Sequence, residues 1–404
     1  MFVGITNTPR PYAWGSTTAI ADLLGTVPSG GPEAELWLGA HAGSPSRIVD
    51  PRLTDGAADL AAWVAADPQR TLGSFATCAR LPFLLKVLAA EAPLSLQAHP
   101  TNAQAREGFR LENAAGVPAD APDRNYRDEF AKPELVFALS ERFEALCGFR
   151  PAEEFREIVH ELQAAGAEPD GVLDVLLERL SADDGLRGLV EWLSLGGPQV
   201  DAVVAAVAEA APRVTGSRFA ASLATVTDLA AHYPGDPGIV ISLLLHRVSL
   251  RRGEVLYLPA GNIHAYLSGL AVELMAASDN VLRGGLTPKH VDVPELLSVL
   301  DFRTIDAPYL EPERPALGVE VFRPDVPDFV LVHVDGTAPA SVTLTGPAIA
   351  LCVSGSTVLR GAGGSRVVLS RGESLYITPD EGVVQFGGAD AGEEAGEVFL
   401  ATTG

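Results

Sequence analysis

The sequence predicts a mainly β protein in which two jelly-roll barrels are interrupted by an inserted α-helical domain. Three observations lead to this fold class. Short apolar runs punctuated by glycine and proline occupy residues 1 to about 150 and resume after about residue 232. The stretch between them repeats its apolar residues at helical spacing. A six-residue pattern also recurs in the two β-rich parts.

The amino-acid composition is that of a folded globular protein. Hydrophobic residues make up 47% of the 404 residues and charged residues 20%, which excludes general disorder. The 40 glycines and 30 prolines predict many turns, and many turns between apolar runs predict many short strands. A chain of this length is expected to form two or three domains.

The helical block begins after Pro151. Its apolar residues fall at i, i+3, i+4 and i+7 in two stretches, Phe155, Ile158, Val159 and Leu162, and then Leu173, Leu176, Leu177 and Leu180. We predict helix to about residue 232, where the turn-rich segment 233–238 ends it. Residues 239–250 and 254–261 are then predicted as strands.

The internal repeat suggests that the two β-rich parts are related units. Residues 252–257, Arg-Gly-Glu-Val-Leu-Tyr, recur at 371–376 as Arg-Gly-Glu-Ser-Leu-Tyr, and a proline follows each copy. A Gly-Glu turn before an apolar strand and a proline-containing loop is typical of small jelly-roll barrels of the cupin type. Counting twelve residues from the first arginine of each copy reaches His264 in one and Val383 in the other. We therefore expect a metal ligand in the first barrel only.

These patterns divide the chain into four segments. Residues 1–150 and 233–320 are predicted to form the two parts of the first barrel, with 151–232 as the helical insertion between them. Residues 321–404 are predicted to form a cupin-like C-terminal domain without a metal site. The first barrel would then gather its pocket from both sides of the insertion.

The charge balance excludes two classes of partner. The chain has 29 basic and 52 acidic residues, a formal net charge of -23, which would repel nucleic acid and an anionic membrane surface. We expect neither as a partner, and no protein partner is indicated. A small anionic substrate would need individual lysine or arginine side chains that make a local positive pocket.

The cysteines and the N-terminus predict a cytoplasmic protein. Cys78, Cys147 and Cys352 are far apart and lack Cys-x-x-Cys spacing, so neither a disulfide framework nor a thiolate zinc site is expected. The first residues lack a basic start followed by an apolar stretch, and no run of 18 apolar residues occurs later.

Paired polar residues on strand-like segments are the first candidates for a functional site. Ser95, Gln97 and His99 alternate with apolar residues, so on a strand their side chains project from one face. Lys132 and Glu134 are likewise two positions apart. The alternative is that Gln97 and His99 lie on the solvent face of an antiparallel strand, and spacing alone favours that alternative.

His264 and Tyr266 repeat this two-residue spacing just after a proline-glycine turn. A catalytic zinc ion needs neutral imidazole nitrogens, a carboxylate oxygen and a position left open for water or substrate. His99, His264, Glu134 and the amide oxygen of Gln97 would meet this need, although glutamine is an uncommon zinc ligand.

The stretch from Glu273 to Lys289 places charged residues among small ones. Two glycines follow Arg283, so that backbone can approach a ligand while the guanidinium supplies a fixed cation for a phosphate or a developing enediolate. The alternative is a helix on which Asp279 and Arg283 form an i,i+4 pair, ended by a glycine and followed by a helix that starts at a proline. The local sequence leaves both open.

Taken together, these segments resemble the type I mannose-6-phosphate isomerase (phosphomannose isomerase) family over nearly the whole chain. The matching segments are residues 10–15, 34–41, 95–100, 132–134, 264–267 and 279–289. The resemblance implies two cupin barrels with a helical insertion and one zinc ion per chain. It implies that the zinc ligands are Gln97, His99, Glu134 and His264, and that Arg283 is the catalytic arginine.

The resemblance also implies interconversion of mannose 6-phosphate and fructose 6-phosphate through a cis-enediol, in which a proton leaves C2 and arrives at C1. Zinc as a Lewis acid and Arg283 as a fixed cation would stabilise the developing charge. The candidates for proton movement and ring opening are Glu273, Lys132 and Tyr266. Asp279 is predicted to orient Arg283.

Contacts to the substrate phosphate are predicted for Lys86, Ser95 and Lys289. For Lys86 the alternative is a lysine at the end of an apolar strand. The remaining histidines lack a second ligand at suitable spacing and are predicted to be structural or surface residues: His41, His160, His232, His246, His290 and His333.

The chain departs from the family pattern at one place near the predicted site. Many members have Asn-His immediately before Lys-Pro-Glu, whereas this chain has Phe130 and Ala131. The predicted ligands are untouched, but a proton-transfer role for that neighbouring histidine has no counterpart here.

Three other functions compete with this prediction. A cupin-type glucose-6-phosphate isomerase would use the same enediol chemistry. A metal cupin oxygenase would normally need more histidine ligands and open positions for oxygen. A non-catalytic sugar-binding bicupin would have kept only the fold, and the presence of Glu134, His264 and Arg283 argues against it.

Overall fold

The computed structural model describes residues 1–166, 171–388 and 395–404. Within these ranges the chain is mainly β, and most of the helices follow one another between the strands of the first β-rich part. The predicted class of β-rich parts around a helical insertion is confirmed. The helices are α1 (Ala19–Leu24), α2 (Leu60–Ala66), α3 (Pro68–Leu72), α4 (Asn102–Ala114), α5 (Ala152–Ala165), α6 (Asp174–Leu180), α7 (Gly185–Leu195), α8 (Pro198–Ala210), α9 (Ala220–His232), α10 (Gly238–Ser242) and α11 (Val293–Val299).

A nine-stranded sheet on both sides of the insertion carries the predicted site. In chain order its strands are β2 (Glu35–Leu38), β4 (Phe83–Ala90), β5 (Leu96–Ala98), β6 (Glu134–Ala138), β7 (Phe143–Phe149), β8 (Leu245–Leu250), β9 (Val255–Leu258), β10 (His264–Ala276) and β11 (Leu282–Gly285). The main path runs β11-β5-β10-β4-β2, while β6 and β7 also pair with β10 and carry β9 and β8 on their outer edges.

The C-terminal part forms an eight-stranded and a four-stranded sheet. The eight-stranded sheet contains β1 (Phe2–Thr6), β3 (Arg47–Ile48), β12 (Glu313–Ala316), β13 (Val319–Phe322), β14 (Val330–Val334), β16 (Ala348–Ser354), β19 (Ser374–Ile377) and β21 (Glu397–Thr402). The four-stranded sheet contains β15 (Ala340–Thr343), β17 (Ser356–Arg360), β18 (Arg366–Ser370) and β20 (Val383–Gly388). Buried side chains of both sheets share one apolar core.

The two copies of the internal repeat occupy equivalent positions in the two β-rich parts. Each copy leads through a glycine with positive φ, Gly253 at 90° and Gly372 at 83°, into a strand, β9 or β19. A left-handed glycine is the residue that such a tight turn favours. Val383, which stands in the second copy where His264 stands in the first, begins β20 and is 39% exposed.

Strand β1 pairs with β19, so the chain begins in the C-terminal sheet rather than in the nine-stranded one. Phe2 stands opposite Ile377, and the register continues to Ile5 opposite Ser374. A five-residue strand carries no mark in its own sequence of which distant edge it will join. The N-terminus therefore ties the two β-rich parts together.

The helical insertion packs as the periodicity predicts, with one exception. The predicted face of α5 is buried, and of the second predicted stretch Leu173, Leu176 and Leu180 are buried while Leu177 is half-buried. The prediction of strand for residues 239–242 is wrong, because they belong to α10, and the strand β8 begins only at Leu245. Every residue of α10 is buried, and a short, uniformly apolar run cannot distinguish a buried strand from a buried helix.

Strand β10 is the 13-residue spine of the nine-stranded sheet. Its first residues pair with β5 and β7, and its last residues pair with β4 and β6. The change of partners follows a register shift between Tyr266 and Ser268, next to Gly269, whose φ is 118°. One strand thus carries His264 at one end and Glu273 near the other. None of the helices in the described ranges is both long and apolar enough to cross a membrane.

Candidate active site

Three potential metal ligands converge in the interior of the nine-stranded sheet. His99 follows β5, Glu134 begins β6 and His264 begins β10. One ligand atom from each lies within 4.8 Å of the others, and each residue is only 1% exposed. Glu134 approaches both imidazoles, with its Oε1 3.4 Å from His99 Nε2 and its Oε2 3.3 Å from His264 Nε2.

Backbone carbonyls fix the orientation of both imidazoles. His99 Nδ1 lies 2.8 Å from the Asn280 carbonyl oxygen, and His264 Nδ1 lies 3.0 Å from that of Asn262. A carbonyl only accepts, so each Nδ1 must carry the proton and each Nε2 keeps its lone pair. Metal-ligating histidines are commonly held in this way.

The cluster has unsatisfied lone pairs that a cation would satisfy. Among the described residues, His99 Nε2 and Glu134 Oε2 are buried without a hydrogen-bond partner. Burial lowers the pKa of His99 to about 4, which keeps it in the neutral form that binds metal. Although burial opposes the change, Lys132 and His99 hold the pKa of Glu134 well below its ordinary value. Two neutral imidazoles and an ionised carboxylate fit a zinc ion.

Gln97 is brought to the cluster by sheet register. It lies opposite His264 on β10 and opposite Arg283 on β11, because β5 runs between these two strands. Its Nε2 lies 3.3 Å from His264 Nε2, so the amide nitrogen faces that lone pair. Ligation through the amide oxygen requires the amide to turn over, which exchanges two nearly isosteric groups. Gln97 as fourth ligand stays a prediction.

A cavity of about 320 Å³ lies beside the cluster. Its lining is rich in cations and comes from loops and strands on both sides of the helical insertion. The lining residues are Tyr12, Trp37, Leu84, Lys86, Arg124, Asn125, Arg127, Lys132, Met275, Asp279, Val281, Arg283 and Lys289. Lys132 joins the cavity to the metal cluster, because its ammonium group also forms an ion pair with Glu134 Oε1.

Three cations of the cavity have no carboxylate partner. Within the described ranges, Arg127, Arg283 and Lys289 form no ion pair, in a chain whose formal net charge is -23. Burial, together with the charge of Arg127, lowers the pKa of Arg283, and burial with Arg283 and Arg127 lowers that of Lys289. Unpaired cations that repel one another in one pocket are the expected complement of an anion.

Lys86 lines the same cavity but is already paired. Its Nζ lies 2.9 Å from Glu273 Oε2 and 3.3 Å from Glu35 Oε1, and the residue is 6% exposed. Although burial opposes it, the two carboxylates raise the pKa of Lys86, so the ammonium stays charged. Burial raises the pKa of Glu273, although the charge of Lys86 acts in the opposite direction. The alternative of a lysine at the end of a strand is wrong, because Lys86 lies in the middle of β4. Its contact with a phosphate stays a prediction.

Three predicted residues lie outside the cavity wall. Among the described residues that line it, Glu273, Tyr266 and Ser95 are absent. Glu273 and Tyr266 are buried behind the wall on β10, and burial with the nearby carboxylates of Glu134 and Glu273 raises the pKa of Tyr266 well above its ordinary value. Ser95 precedes β5 and is half-buried. Their predicted roles are not supported by direct access to the cavity.

Asp279 does line the cavity, but its partner is not the predicted one. In the described part of the chain no ion pair joins Asp279 to Arg283, and the alternative of a helix across these residues is wrong, because Arg283 lies on β11. Asp279 Oδ2 instead lies 3.2 Å from His41 Nε2. His41, predicted to be structural or on the surface, does not itself line the cavity but holds the cavity residue Asp279, a contact that the sequence did not predict.

Arg127 was missed as well. It lies between α4 and β6, five residues before Lys132, and its backbone N–H donates to Asn280 Oδ1 at 2.7 Å. Asn280 also accepts from the backbone N–H of Asp128 and donates to backbone carbonyls of that loop. A buried asparagine thus fastens the loop that carries Arg127 to the segment that orients His99. The only sequence signal was a basic residue close to Lys-Pro-Glu.

Comparison with known proteins agrees with this geometry. A family model described as phosphomannose isomerase type I, catalytic domain, matches residues 2–152. The mannose-6-phosphate isomerase of Escherichia coli K12 is 38% identical over 387 residues, which cover 94% of this chain and 95% of the relative. The human mannose-6-phosphate isomerase is 34% identical over 416 residues, with 93% and 92% covered.

Solved structures match over the full length. A zinc-bound mannose 6-phosphate isomerase superposes with a TM-score of 0.87 at 35% identity, covering 100% of this chain and 99% of the other. The metal-free form from Salmonella typhimurium gives 0.86 at 34% identity with the same coverage. The fold and the site together define a bicupin with a buried metal centre beside a cationic cavity. The chain belongs to the mannose-6-phosphate isomerase family.

Proposed function

We propose that this chain is a zinc-dependent aldose-ketose isomerase that interconverts mannose 6-phosphate and fructose 6-phosphate. One arrangement carries the proposal: a buried His-Glu-His cluster with free lone pairs is joined through Lys132 to a cavity that holds three unpaired cations. The cluster suits zinc and the cations suit a phosphate. A small sugar phosphate has both the anionic group and the oxygens that this pairing would bind.

The cavity suggests how the sugar phosphate is oriented. Arg127 and Lys289 supply charge for the phosphate group. Arg283 stands opposite Gln97 in the sheet and lines the same cavity as Arg127 and Lys289. From this position its guanidinium would stabilise the charge that develops on the oxygens at C1 and C2. Zinc bound at the cluster would supply Lewis-acid polarisation of these oxygens.

Proton transfer between C2 and C1 requires a side chain that reaches the substrate. Of the predicted candidates, Lys132 lines the cavity, whereas Glu273 and Tyr266 lie behind its wall. We therefore assign the proton transfer to Lys132 and give Glu273 the part of holding Lys86. Tyr266 would serve the packing around His264, whose ring centroid is 6.0 Å from its own.

The competing functions are less well supported. An oxygenase would not need three unpaired cations around its pocket, and a binding protein would not need a metal cluster next to Lys132. A glucose-6-phosphate isomerase would use the same groups on a related sugar. The relatives with high coverage carry the name of mannose-6-phosphate isomerase instead.

A coupled assay for fructose 6-phosphate, run on mannose 6-phosphate and on glucose 6-phosphate, tests the proposal. We expect formation from mannose 6-phosphate that stops when a chelator removes the metal and returns with added zinc. The variant Arg283→Ala should keep its bound zinc by elemental analysis yet lose most of its turnover, because Arg283 is not among the ligands. Equal rates on glucose 6-phosphate, or full activity after metal removal, would contradict the proposal.

A further inference from the structure

His41 and Asp279 form a pair at the edge of the cavity that the sequence did not predict. His41 follows β2 in the loop after Leu38, and Asp279 lies in the segment between β10 and β11. They come together across 238 positions of the chain (279 minus 41), with His41 Nε2 3.2 Å from Asp279 Oδ2. The His41 side chain is 11% exposed and that of Asp279 is 46% exposed. His41 is therefore half-buried, and Asp279 is exposed where it lines the cavity.

The surroundings of His41 fix both its ring and its tautomer. The backbone N–H of Gly43 donates to His41 Nδ1 at 3.1 Å, so that nitrogen is an acceptor and the proton of the neutral ring is on Nε2. The edge of the ring packs against Trp37, with centroids 4.9 Å apart and planes at 81°. The ring of His41 is thus held with its Nε2–H pointing toward Asp279.

This arrangement leaves one oxygen of Asp279 available to a ligand. His41 holds Oδ2, while no described residue donates a hydrogen bond to Oδ1. The backbone N–H of Asp279 donates to Asp128 Oδ2 at 2.9 Å, which fixes the main chain as well. A carboxylate with one oxygen fixed and the other free, in a cavity that also contains Lys132, is suited to accept a hydrogen bond from a sugar hydroxyl.

We infer that His41 is a positioning residue that aims Asp279 at a hydroxyl group of the hexose substrate. The inference rests on the proposed function, because it assigns a sugar to the cavity. His41 need not touch the substrate, and the His41 ring need not change its own charge. It contributes a fixed N–H donor to Asp279 Oδ2 and so leaves Oδ1 for the substrate. The pair thereby orients the sugar ring, whereas Arg127 and Lys289 hold the phosphate.

The test combines three variants with a double-mutant cycle. His41→Leu removes the donor, His41→Gln keeps an N–H near the position of Nε2, and Asp279→Asn removes the carboxylate. We expect His41→Leu to lower kcat/KM about tenfold, mainly through KM, and His41→Gln to restore most of the loss. In the Asp279→Asn background, His41→Leu should have little further effect, because the two residues act as one unit. His160→Leu, on the exposed face of α5, is the matched control and should behave as wild type.

The acid limb of the pH profile separates positioning from general support of the fold. Asp279 is faced by His41, Lys132, Arg127 and Asp128, and although burial opposes it, the hydrogen bond from His41 lowers the pKa of Asp279. Without His41 that pKa rises, so the acid limb of kcat/KM in His41→Leu should move to higher pH. Zinc content and the thermal midpoint should stay at the wild-type values.

The possible outcomes separate this inference from the proposed function. Additive losses in the cycle, or a His41→Leu enzyme with normal kcat/KM and an unmoved acid limb, would overturn the inference while wild-type activity upholds the isomerase. A wild-type chain without isomerase activity would instead refute the proposed function. In that case calorimetric titration with mannose 6-phosphate decides the pair, since equal affinity for wild type and His41→Leu rejects it and weaker binding by the variant supports it.

Discussion

Arg127 is a charged residue of the cavity that has no ion-pair partner in the described part of the fold. Its guanidinium lines the cavity without an ion pair to any described carboxylate, while Asn280 holds its backbone. We predict that Arg127→Ala raises KM for mannose 6-phosphate about tenfold or more, because a hydrogen bond to a charged group contributes about 1.5–3 kcal/mol. Bound zinc, measured by elemental analysis, should be unchanged, because Arg127 does not approach the cluster.

A second arginine supplies the control for this prediction. Arg110 is exposed on α4 and pairs with Glu107 at the surface, so Arg110→Ala should leave KM unchanged. Arg127→Lys should recover part of the affinity, since the charge returns without the planar geometry. An Arg127→Ala enzyme with the KM of wild type would show that the phosphate lies elsewhere in the cavity.

For single residues, alternation along a strand shows which side chains share a face, whereas a loop has no such pattern. His99, Glu134 and His264 do converge, as the family resemblance implied, whereas their spacing alone favoured a solvent-facing strand for His99. Arg127 and His41 could not be found this way, because each lies in a loop whose position depends on contacts more than 150 positions away in the chain. A loop side chain has no periodicity that would show where it faces.

Among the elements, β10 determines the geometry of the site. Its register shift next to Gly269 lets one strand pair first with β5 and β7 and then with β4 and β6. A methyl group on Gly269 would lie 2.9 Å from the Arg142 carbonyl oxygen, at a φ of 118° that other residues rarely adopt. We predict that Gly269→Ala lowers the free energy of unfolding by roughly 2 kcal/mol, measured by urea denaturation.

Gly31 provides a matched substitution. A methyl group there would meet no atom within 4 Å, and its φ is not in the positive range, so Gly31→Ala should be close to neutral. The Gly269→Ala variant should also bind zinc less tightly, because the same strand presents His264 five residues earlier. Unchanged stability in Gly269→Ala would mean that the strand can change partners without a glycine.

Elements with a clear period were predictable and those without one were not. The buried face of α5 follows from four apolar residues at helical spacing. Residues 239–242 gave the wrong element because all of them are buried, so no polar position marks the period. Strand β5 is only three residues long, and its alternation alone favoured a solvent-facing strand; the family resemblance was needed to place His99 at a metal cluster.

The whole molecule is held together by contacts between the nine-stranded sheet and the C-terminal sheet. Phe137 of β6 packs against Phe322 and Phe399, with ring centroids 5.7 Å and 4.8 Å apart, inside a core that draws on both sheets. Strand β1 adds its pairing with β19. The repeat predicted two related units, but how they join depends on long-range pairing that no local pattern records.

Glu397 is a charged link across this junction. Its Oε1 lies 3.0 Å from His333 Nε2 on β14, and its Oε2 lies 2.8 Å from Arg252 Nη2, which precedes β9 in the other sheet. Although burial opposes it, His333 and Arg252 lower the pKa of Glu397. Because the folded pKa lies below the unfolded value of about 4.3, the stabilisation is fully present above that pH and is lost as pH falls through the folded pKa.

The variant Glu397→Gln therefore has a pH-dependent cost. At pH 7 we predict a loss of roughly 1–3 kcal/mol in the free energy of unfolding, because the charged partner of Arg252 and His333 disappears. The difference in the free energy of unfolding between wild type and variant should narrow only below about pH 4, where Glu397 of the wild type becomes protonated and loses its charge. Glu141→Gln, at an exposed carboxylate, controls for the change in net charge and should show no such difference. Since the ion pairs of Glu397 go to Arg252 and His333 and to no residue of the metal cluster, Glu397→Gln should retain its zinc at pH 7. A gap between the two unfolding curves that stays constant from pH 7 to pH 3 would show that Glu397 stabilises the junction by packing rather than by its charge.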